Sequence, residues 1–89
     1  MYAIVAASKL KPGADPEMSQ NILTGVSAAA GFINGAIAWS TDRERGRAMF
    51  LFDTAENART ALEQTLANMP ADAPMEIEAV EVSEVVAHA

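Results

Sequence analysis

The chain has 89 residues, a formal net charge of −6 and no cysteine, and 51% of its residues are hydrophobic. These values predict one folded domain over 1–89 and exclude an intrinsically disordered chain, a disulfide-stapled domain and a thiolate metal site. Because only six lysines and arginines oppose twelve acidic residues, neither nucleic acid nor an anionic membrane surface is expected as a partner.

The first predicted element is a strand over Tyr2–Leu10, which ends at the turn formers KPGADP. A helix is predicted to follow Asp15, because an aspartate cap accepts free amide donors and Pro16 suits the first helical position. Gly31 is predicted to end this helix, since glycine readily takes the left-handed conformation. Gly25 lies inside the helix at a cost of about 1 kcal/mol relative to alanine, which indicates a close neighbouring element, a ligand or plain tolerance. The apolar stripe of the helix comprises Met18, Ile22, Val26 and Ala29.

Two further strands, Ile33–Ser40 and Arg47–Asp53, are predicted to form an antiparallel hairpin around the charged tip TDRERG. The second helix is predicted to begin at an acidic capping box made by Asp53 and Glu56. It is expected to end before Pro70, where the loop PADAP begins. The apolar stripe of this helix comprises Ala58, Leu62, Leu66 and Met69.

The last predicted element is a strand over Met75–Val86, whose apolar residues change phase near Ala79 and Val80. Such a change indicates a β-bulge, a strand that leaves its sheet to reach a partner, or a strand whose far end is half-buried on both faces. The order of elements is therefore βαββαβ, an α+β, ferredoxin-like arrangement. Right-handed crossovers place both helices on one face of a four-stranded antiparallel sheet.

The first three strands are apolar on both faces, whereas a sheet with one solvated face alternates apolar and polar residues. One face meets the helices, and the other is predicted to pack against a second copy about a two-fold axis. Nineteen alanines make the protomer core thin, and a homodimer supplies the missing burial. In the third strand Phe50 and Phe52 oppose Met49 and Leu51, and in the second strand Ile33, Ile37 and Trp39 oppose Ala36 and Ala38.

The sequence gives little indication of a metal site, a bound cofactor or a membrane span. Its one histidine, His88, stands near the end of the chain without cysteines, which predicts no metal site. The glycines of GFING lack the lysine and spacing of a phosphate loop, so no cofactor is expected. No apolar run approaches the roughly 20 residues of a membrane span. The N-terminus has no basic residue before its apolar stretch, unlike a signal peptide. We therefore predict a cytoplasmic protein.

The runs GFINGAIAW and MFLFDTAENARTA, together with the order of elements, resemble the dimeric α/β-barrel superfamily. Within it the chain is most similar to small actinobacterial-type domains named for antibiotic-biosynthesis monooxygenases. The resemblance implies two facing sheets and an apolar cavity between the sheet and helices of each protomer. It also implies activities that range from cofactor-independent oxygenation of aromatic polyketides to haem degradation, beside domains of no known activity. Fold alone does not choose among them.

The resemblance implies a small apolar or aromatic ligand, for which Trp39, Asn34, Tyr2 and Ser40 are the candidate binding residues. Trp39 is alternatively a packed aromatic whose indole N–H finds a partner, and Asn34 a strand-start residue bonded to local backbone. Haem degradation uses an Asn–Trp–His set, and the placement of Asn34, Trp39 and His88 does not match it. A cofactor-independent monooxygenase, a non-catalytic dimeric domain and a protein-interaction module all stay open.

Overall fold

The computed structural model describes residues 1–69 and 71–88. Pro70, with which the predicted loop begins, and Ala89 lie outside the described residues. The elements are β1 (Tyr2–Leu10), a 3-10 turn (Pro16–Met18), α1 (Ser19–Ser27), β2 (Phe32–Trp39), β3 (Arg45–Phe52), α2 (Ala55–Asn68) and β4 (Met75–Glu84). The strands form one antiparallel sheet in the order β2-β3-β1-β4. The predicted ferredoxin-like βαββαβ fold is confirmed.

The segment before α1 begins with the predicted aspartate cap. Asp15 accepts a hydrogen bond from the Glu17 amide at 2.9 Å, but the turn that it caps is a 3-10 turn, and the α-helix starts only at Ser19. The helix also ends at Ser27, before the predicted stop at Gly31. α1 is therefore a short helix whose flanking turns carry the chain to and from the sheet.

The N-cap of α2 is Thr54, whose hydroxyl accepts a hydrogen bond from the Asn57 amide at 3.1 Å. The predicted capping box of Asp53 and Glu56 is therefore wrong. The Asp53 carboxylate instead accepts from Asn57 Nδ2 at 2.8 Å, and its backbone amide donates to the Gly31 carbonyl at 3.0 Å. Gly31 has a φ of 81°, and a Cβ at this position would collide with the Asp53 carboxylate. Glycine is thus needed where β2 begins beside α2.

Thr54→Ala is expected to lower the free energy of unfolding by about 1 kcal/mol, because the substitution removes the side-chain acceptor of the cap. Thr54→Ser should retain most of the stability, since serine keeps that acceptor. Thr60→Ala, at an exposed position inside α2, is the matched control, and alanine favours helix there. Urea denaturation measures all three. An unchanged midpoint for Thr54→Ala would show that Thr54 does not stabilise the helix.

A β-bulge in β4 explains the change of phase in its sequence. The register between β1 and β4 shifts between Ala7 and Ser8, which leaves Glu78 as the extra residue on β4. Ile77 and Val80 consequently both lie on the face that the helices cover. Of the alternatives for this strand, the structure shows the bulge, and β4 stays paired with β1 to its end.

A second bulge lies at the start of β2. The register between β2 and β3 shifts between Phe32 and Asn34, and Ile33 is the extra residue, 50% exposed. The expectation that Ile33 shares a face with Trp39 is therefore wrong. Phe32 lies on that face instead, and its ring meets Phe52 edge-on with centroids 5.7 Å apart.

The hydrophobic core lies between the sheet and the helices. Its centre is Phe52, which is fully buried. The other buried members of this cluster are Ile4, Val26, Phe50, Ala58 and Ala61. Two of these six are alanines, so the core is thin, as the composition predicts.

The outer face, which is the side of the sheet opposite the helices, is mostly apolar. Met49 is 49% exposed there, and its cross-strand neighbours are Ala36 on β2 and Val5 on β1. Most charged residues lie toward one end of this face, where Lys9 pairs with Arg45 and with Glu76, but Glu81 of β4 pairs with Val5 in the row of Met49. The remaining outer-face positions on β1 to β3 are Ala3, Ala7, Asn34, Ala38, Arg47 and Leu51.

Candidate functional site

A cleft of about 310 Å³ lies between α1 and α2 and is also lined by residues 72–74. We call it the helix cleft. Its apolar walls comprise Ile22, Val26 and Ala29 from α1 and the turn after it, Ala61 from α2, and Met69 and Ala73 beyond α2. The volume lies at the lower end of the roughly 300–1,000 Å³ of small-molecule pockets.

The helix cleft exists because small residues face it from both sides. Gly25 of α1 and Ala29 of the turn after it line one wall, and Ala61 of α2 lines the cleft as well. A Cβ built on Gly25 would have no atom within 4 Å. A close contact with a neighbouring element is therefore not the reason for glycine at position 25. Gly25 faces open space, which leaves a ligand or plain tolerance of glycine as the explanation.

Polar side chains are confined to the mouth of the helix cleft. Asn21, Gln64, Asn68 and Asp72 line it, and all four are exposed. The hydroxyl of Thr65 donates instead to the Ala61 carbonyl at 2.7 Å, within α2. The mouth thus offers three amide groups and one carboxylate to a ligand, above an apolar floor.

Little space remains between the helices and the sheet. The void there has a volume of about 40 Å³, far below the 310 Å³ of the helix cleft. It shares Ile22, Val26, Thr65 and Met69 with the helix cleft, so it continues the cleft toward the sheet. The larger space thus lies between the helices rather than beneath them.

A second concavity, the hairpin pocket, has a volume of about 470 Å³ and lies where β2 ends beside the 3-10 turn. Trp39 and Ser40 line it together with charged residues, among them Glu17 and Arg43. The indole Nε1 of Trp39 donates to Ser19 Oγ at 3.0 Å. This is the hydrogen bond expected of a packed tryptophan, whose N–H finds a partner when the ring is partly buried.

The turn beside this pocket is held by its own hydrogen bonds. The Ser40 hydroxyl donates to the Asp42 carboxylate and accepts from the Arg45 amide, and the same carboxylate accepts from the Glu44 amide. The Ser40 hydroxyl, the Glu44 amide and the nearby Arg45 charge hold the pKa of Asp42 below its usual value. Arg43, at the tip, has a φ of 60°. The Ser40 side chain is therefore engaged in the turn.

The four predicted binding residues do not form one group. Trp39 and Ser40 share the hairpin pocket, but Asn34 lies on the outer face, where its Oδ1 accepts a hydrogen bond from the next backbone amide at 2.8 Å. Tyr2 packs against the core. On β1 it lies six residues before Ser8, in the row of Trp39, so about 20 Å separate them at about 3.3 Å per residue. Within one protomer, Asn34 and Tyr2 cannot act together with Trp39.

Residues 1–69 and 71–88 contain neither a grouped set of metal ligands nor a membrane-spanning helix. No three histidine, cysteine, aspartate or glutamate side chains in these ranges are grouped so that they could hold a metal ion. In the same residues, no helix is long and apolar enough to cross a membrane.

No protein-family model matches the chain, and no curated protein matches it in sequence. Solved structures share its fold. A variant of MhuD with two manganese protoporphyrin IX molecules bound per active site superimposes with a TM-score of 0.69 at 16% identity, over 100% of this chain and 98% of that one. A candidate antibiotic biosynthesis monooxygenase from Chloroflexus aurantiacus gives 0.69 at 15% identity, over 99% and 96%.

A dimeric ferredoxin-like protein from an uncultured marine organism gives a TM-score of 0.63 at 16% identity, over 99% of this chain and 97% of that one. The structures that the chain resembles therefore include antibiotic-biosynthesis-monooxygenase-like proteins, as the sequence resemblance implies. At these identities the likeness concerns the fold, and fold does not fix a ligand or a reaction.

Proposed function

We propose that the protein binds a small apolar or aromatic molecule in the helix cleft. The observation that carries this proposal is the apolar cleft of about 310 Å³ with its polar side chains only at the mouth. Such a distribution suits a ligand whose ring system leaves water while a polar substituent stays at the opening. The empty position beside Gly25, inside a helix where glycine is unfavourable, supports the same conclusion.

We further propose that the protein is a homodimer joined through the outer face. The exposed Met49 with Val5 and Leu51 makes an apolar surface on the sheet, and apolar patches of this kind mark interaction sites on soluble proteins. The solved dimeric ferredoxin-like protein of the same fold supports self-association. Because the helices cover the opposite side of the sheet, such a dimer leaves the helix cleft open.

A cofactor-independent monooxygenase is the enzymatic form of this proposal, and a candidate antibiotic biosynthesis monooxygenase from Chloroflexus aurantiacus has the same fold. The oxygenase would use the helix cleft to hold an electron-rich phenol away from water, while the substrate itself activates oxygen. Oxygen uptake on mixing the protein with flat polycyclic phenols tests this form. Binding without oxygen uptake would leave a carrier or sensor.

Haem fits the helix cleft poorly, although MhuD carries a porphyrin in the same fold. The lining contains no lysine or arginine to meet the porphyrin carboxylates. His88 is not among the lining residues and follows the end of β4. We therefore propose no haem chemistry for this chain.

Gly25→Leu is expected to block the helix cleft while leaving the fold intact, because the added side chain enters open space. The probe is 2-naphthylethanol, titrated by calorimetry. Its affinity should fall about tenfold or more, since each loss of about 1.4 kcal/mol in binding free energy is a factor of ten. Thr24→Leu, one position earlier and outside the cleft lining, is the matched control and should bind as the wild type does. Equal affinity for all three proteins would exclude the helix cleft as the site.

The hairpin pocket is the second candidate site, since it contains Trp39 and Ser40. Its polar, charged lining suits an apolar ring less well than the helix cleft does. Trp39→Phe separates the two sites, because it alters the hairpin pocket and leaves the helix cleft lining unchanged. Loss of 2-naphthylethanol binding in this variant would place the ligand at Trp39.

A further inference from the structure

The charge at the mouth of the helix cleft has one sign. Asp72 is the single ionisable side chain among the residues that line the cleft, and the other polar lining side chains are amides and the Thr65 hydroxyl. A ligand that entered with a carboxylate would meet another carboxylate and no cation in this lining. A ligand that entered with an ammonium group would meet a carboxylate and amide oxygens, all of which accept its hydrogen bonds.

The end of α2 adds partial negative charge at the same opening. The last carbonyl groups of a helix have no intrahelical partner and carry the negative end of its dipole. α2 ends at Asn68 without a basic residue in its last turn, and Asn68 lines the cleft. The negative end of α2 thus lies on the same side of the opening as Asp72.

One cation, Lys11, lies near this opening without lining it. Lys11 donates through its backbone amide to the Pro74 carbonyl at 2.9 Å and through Nζ to the Ala71 carbonyl at 3.2 Å. Lys11 is not among the residues that line the cleft. Its charge reduces the attraction of Asp72 for a cation but does not offer itself to a ligand in the cleft.

We propose that the helix cleft selects an aromatic or arylalkyl amine, bound as its ammonium ion, over the neutral alcohol and the carboxylic acid of the same skeleton. This selection rests on the proposed function, because it assumes that the ring occupies the cleft. The ring lies against Val26 and Ala61, and the ammonium group is at the mouth beside Asp72. The preference is electrostatic and therefore weakens as salt screens the exposed carboxylate.

Three probes of one skeleton test the selection: 2-naphthylethylamine, 2-naphthylethanol and 2-naphthylacetate, titrated by calorimetry at low and high salt. The amine is expected to bind about three- to fivefold more tightly than the alcohol, the gain expected of an exposed ion pair, and the acetate should bind most weakly. Asp72→Asn should bring the ratio of the amine and alcohol affinities, measured on the same variant, to about one. Lys11→Gln should increase the affinity for the amine.

Glu63→Gln is the matched control, since Glu63 is an exposed carboxylate of α2 outside the cleft lining. Its preference for the amine should equal that of the wild type. If the acetate binds as tightly as the amine, the selection is refuted. If the preference survives in Asp72→Asn, the role of Asp72 is refuted. In both cases the cleft remains a binding site. If none of the three probes binds, the proposed function itself fails.

Discussion

Replacing Phe50 with aspartate is expected to leave the chain unfolded under native conditions. Phe50 is 5% exposed and lies in the core between the sheet and the helices. Loss of a buried phenylalanine costs about 3–5 kcal/mol, and burial of the new carboxylate among apolar side chains adds a penalty of several more. The sum is comparable to the whole stability of a small domain, about 5–15 kcal/mol.

Circular dichroism and thermal unfolding measure this effect. The variant should show neither the far-ultraviolet signal of the wild type nor a cooperative melting transition. Phe50→Leu keeps an apolar side chain at the site and should still melt cooperatively at a lower temperature. A cooperative transition of Phe50→Asp close to that of the wild type would mean that this face of β3 is not buried.

Replacing the adjacent Met49 with aspartate is expected to separate the dimer and leave the protomer folded. Met49 points to the opposite side of the sheet from Phe50, as successive strand residues do, and is 49% exposed in one chain. A carboxylate there costs little in the protomer. In a dimer joined through the outer face, the same carboxylate would be buried among Ala36, Val5 and the partner, without a cation in its row.

Light scattering at micromolar concentration measures this result. The wild type should give about twice the monomer mass of 9.4 kDa, and Met49→Asp should give the monomer mass. Circular dichroism of the variant should match that of the wild type. Thr60→Asp adds the same charge on the exposed side of α2 and should stay dimeric. A monomeric wild type, or a dimeric Met49→Asp variant, would contradict association through the outer face.

The order of elements could be predicted because local signals agree along the chain. Turn formers separate the strands, Asp15 caps the start of the first helical segment, and the short apolar runs of the strands differ from the helical spacing of apolar residues in the helices. The bulge at Glu78 was also visible, as a change of phase within one strand. The bulge at Ile33 was not, because the apolar pattern of β2 continues through it. Its position depends on how β2 pairs with β3.

The helix cleft could be predicted only in part, since its size depends on the distance between two helices that are far apart in sequence. One local signal was present: glycine is unfavourable inside a helix, and Gly25 occupies such a position. In the structure no neighbouring atom requires glycine there. The predicted site was placed at β2 because the single tryptophan, Trp39, lies on that strand. Its indole is held by Ser19 at 3.0 Å, a contact between residues twenty positions apart in the chain that no local pattern shows.

Amide chemical shifts of ¹⁵N-labelled protein, recorded during a titration with 2-naphthylethanol, test the central claim most directly. If the ring binds in the helix cleft, the largest shifts should belong to Gly25, Ala61 and Gln64, which line it. The indole N–H of Trp39 and the amide of Ser40 should stay unchanged. Largest shifts at Trp39 and Ser40, or no shifts at saturating probe, would contradict the assignment of the helix cleft as the binding site.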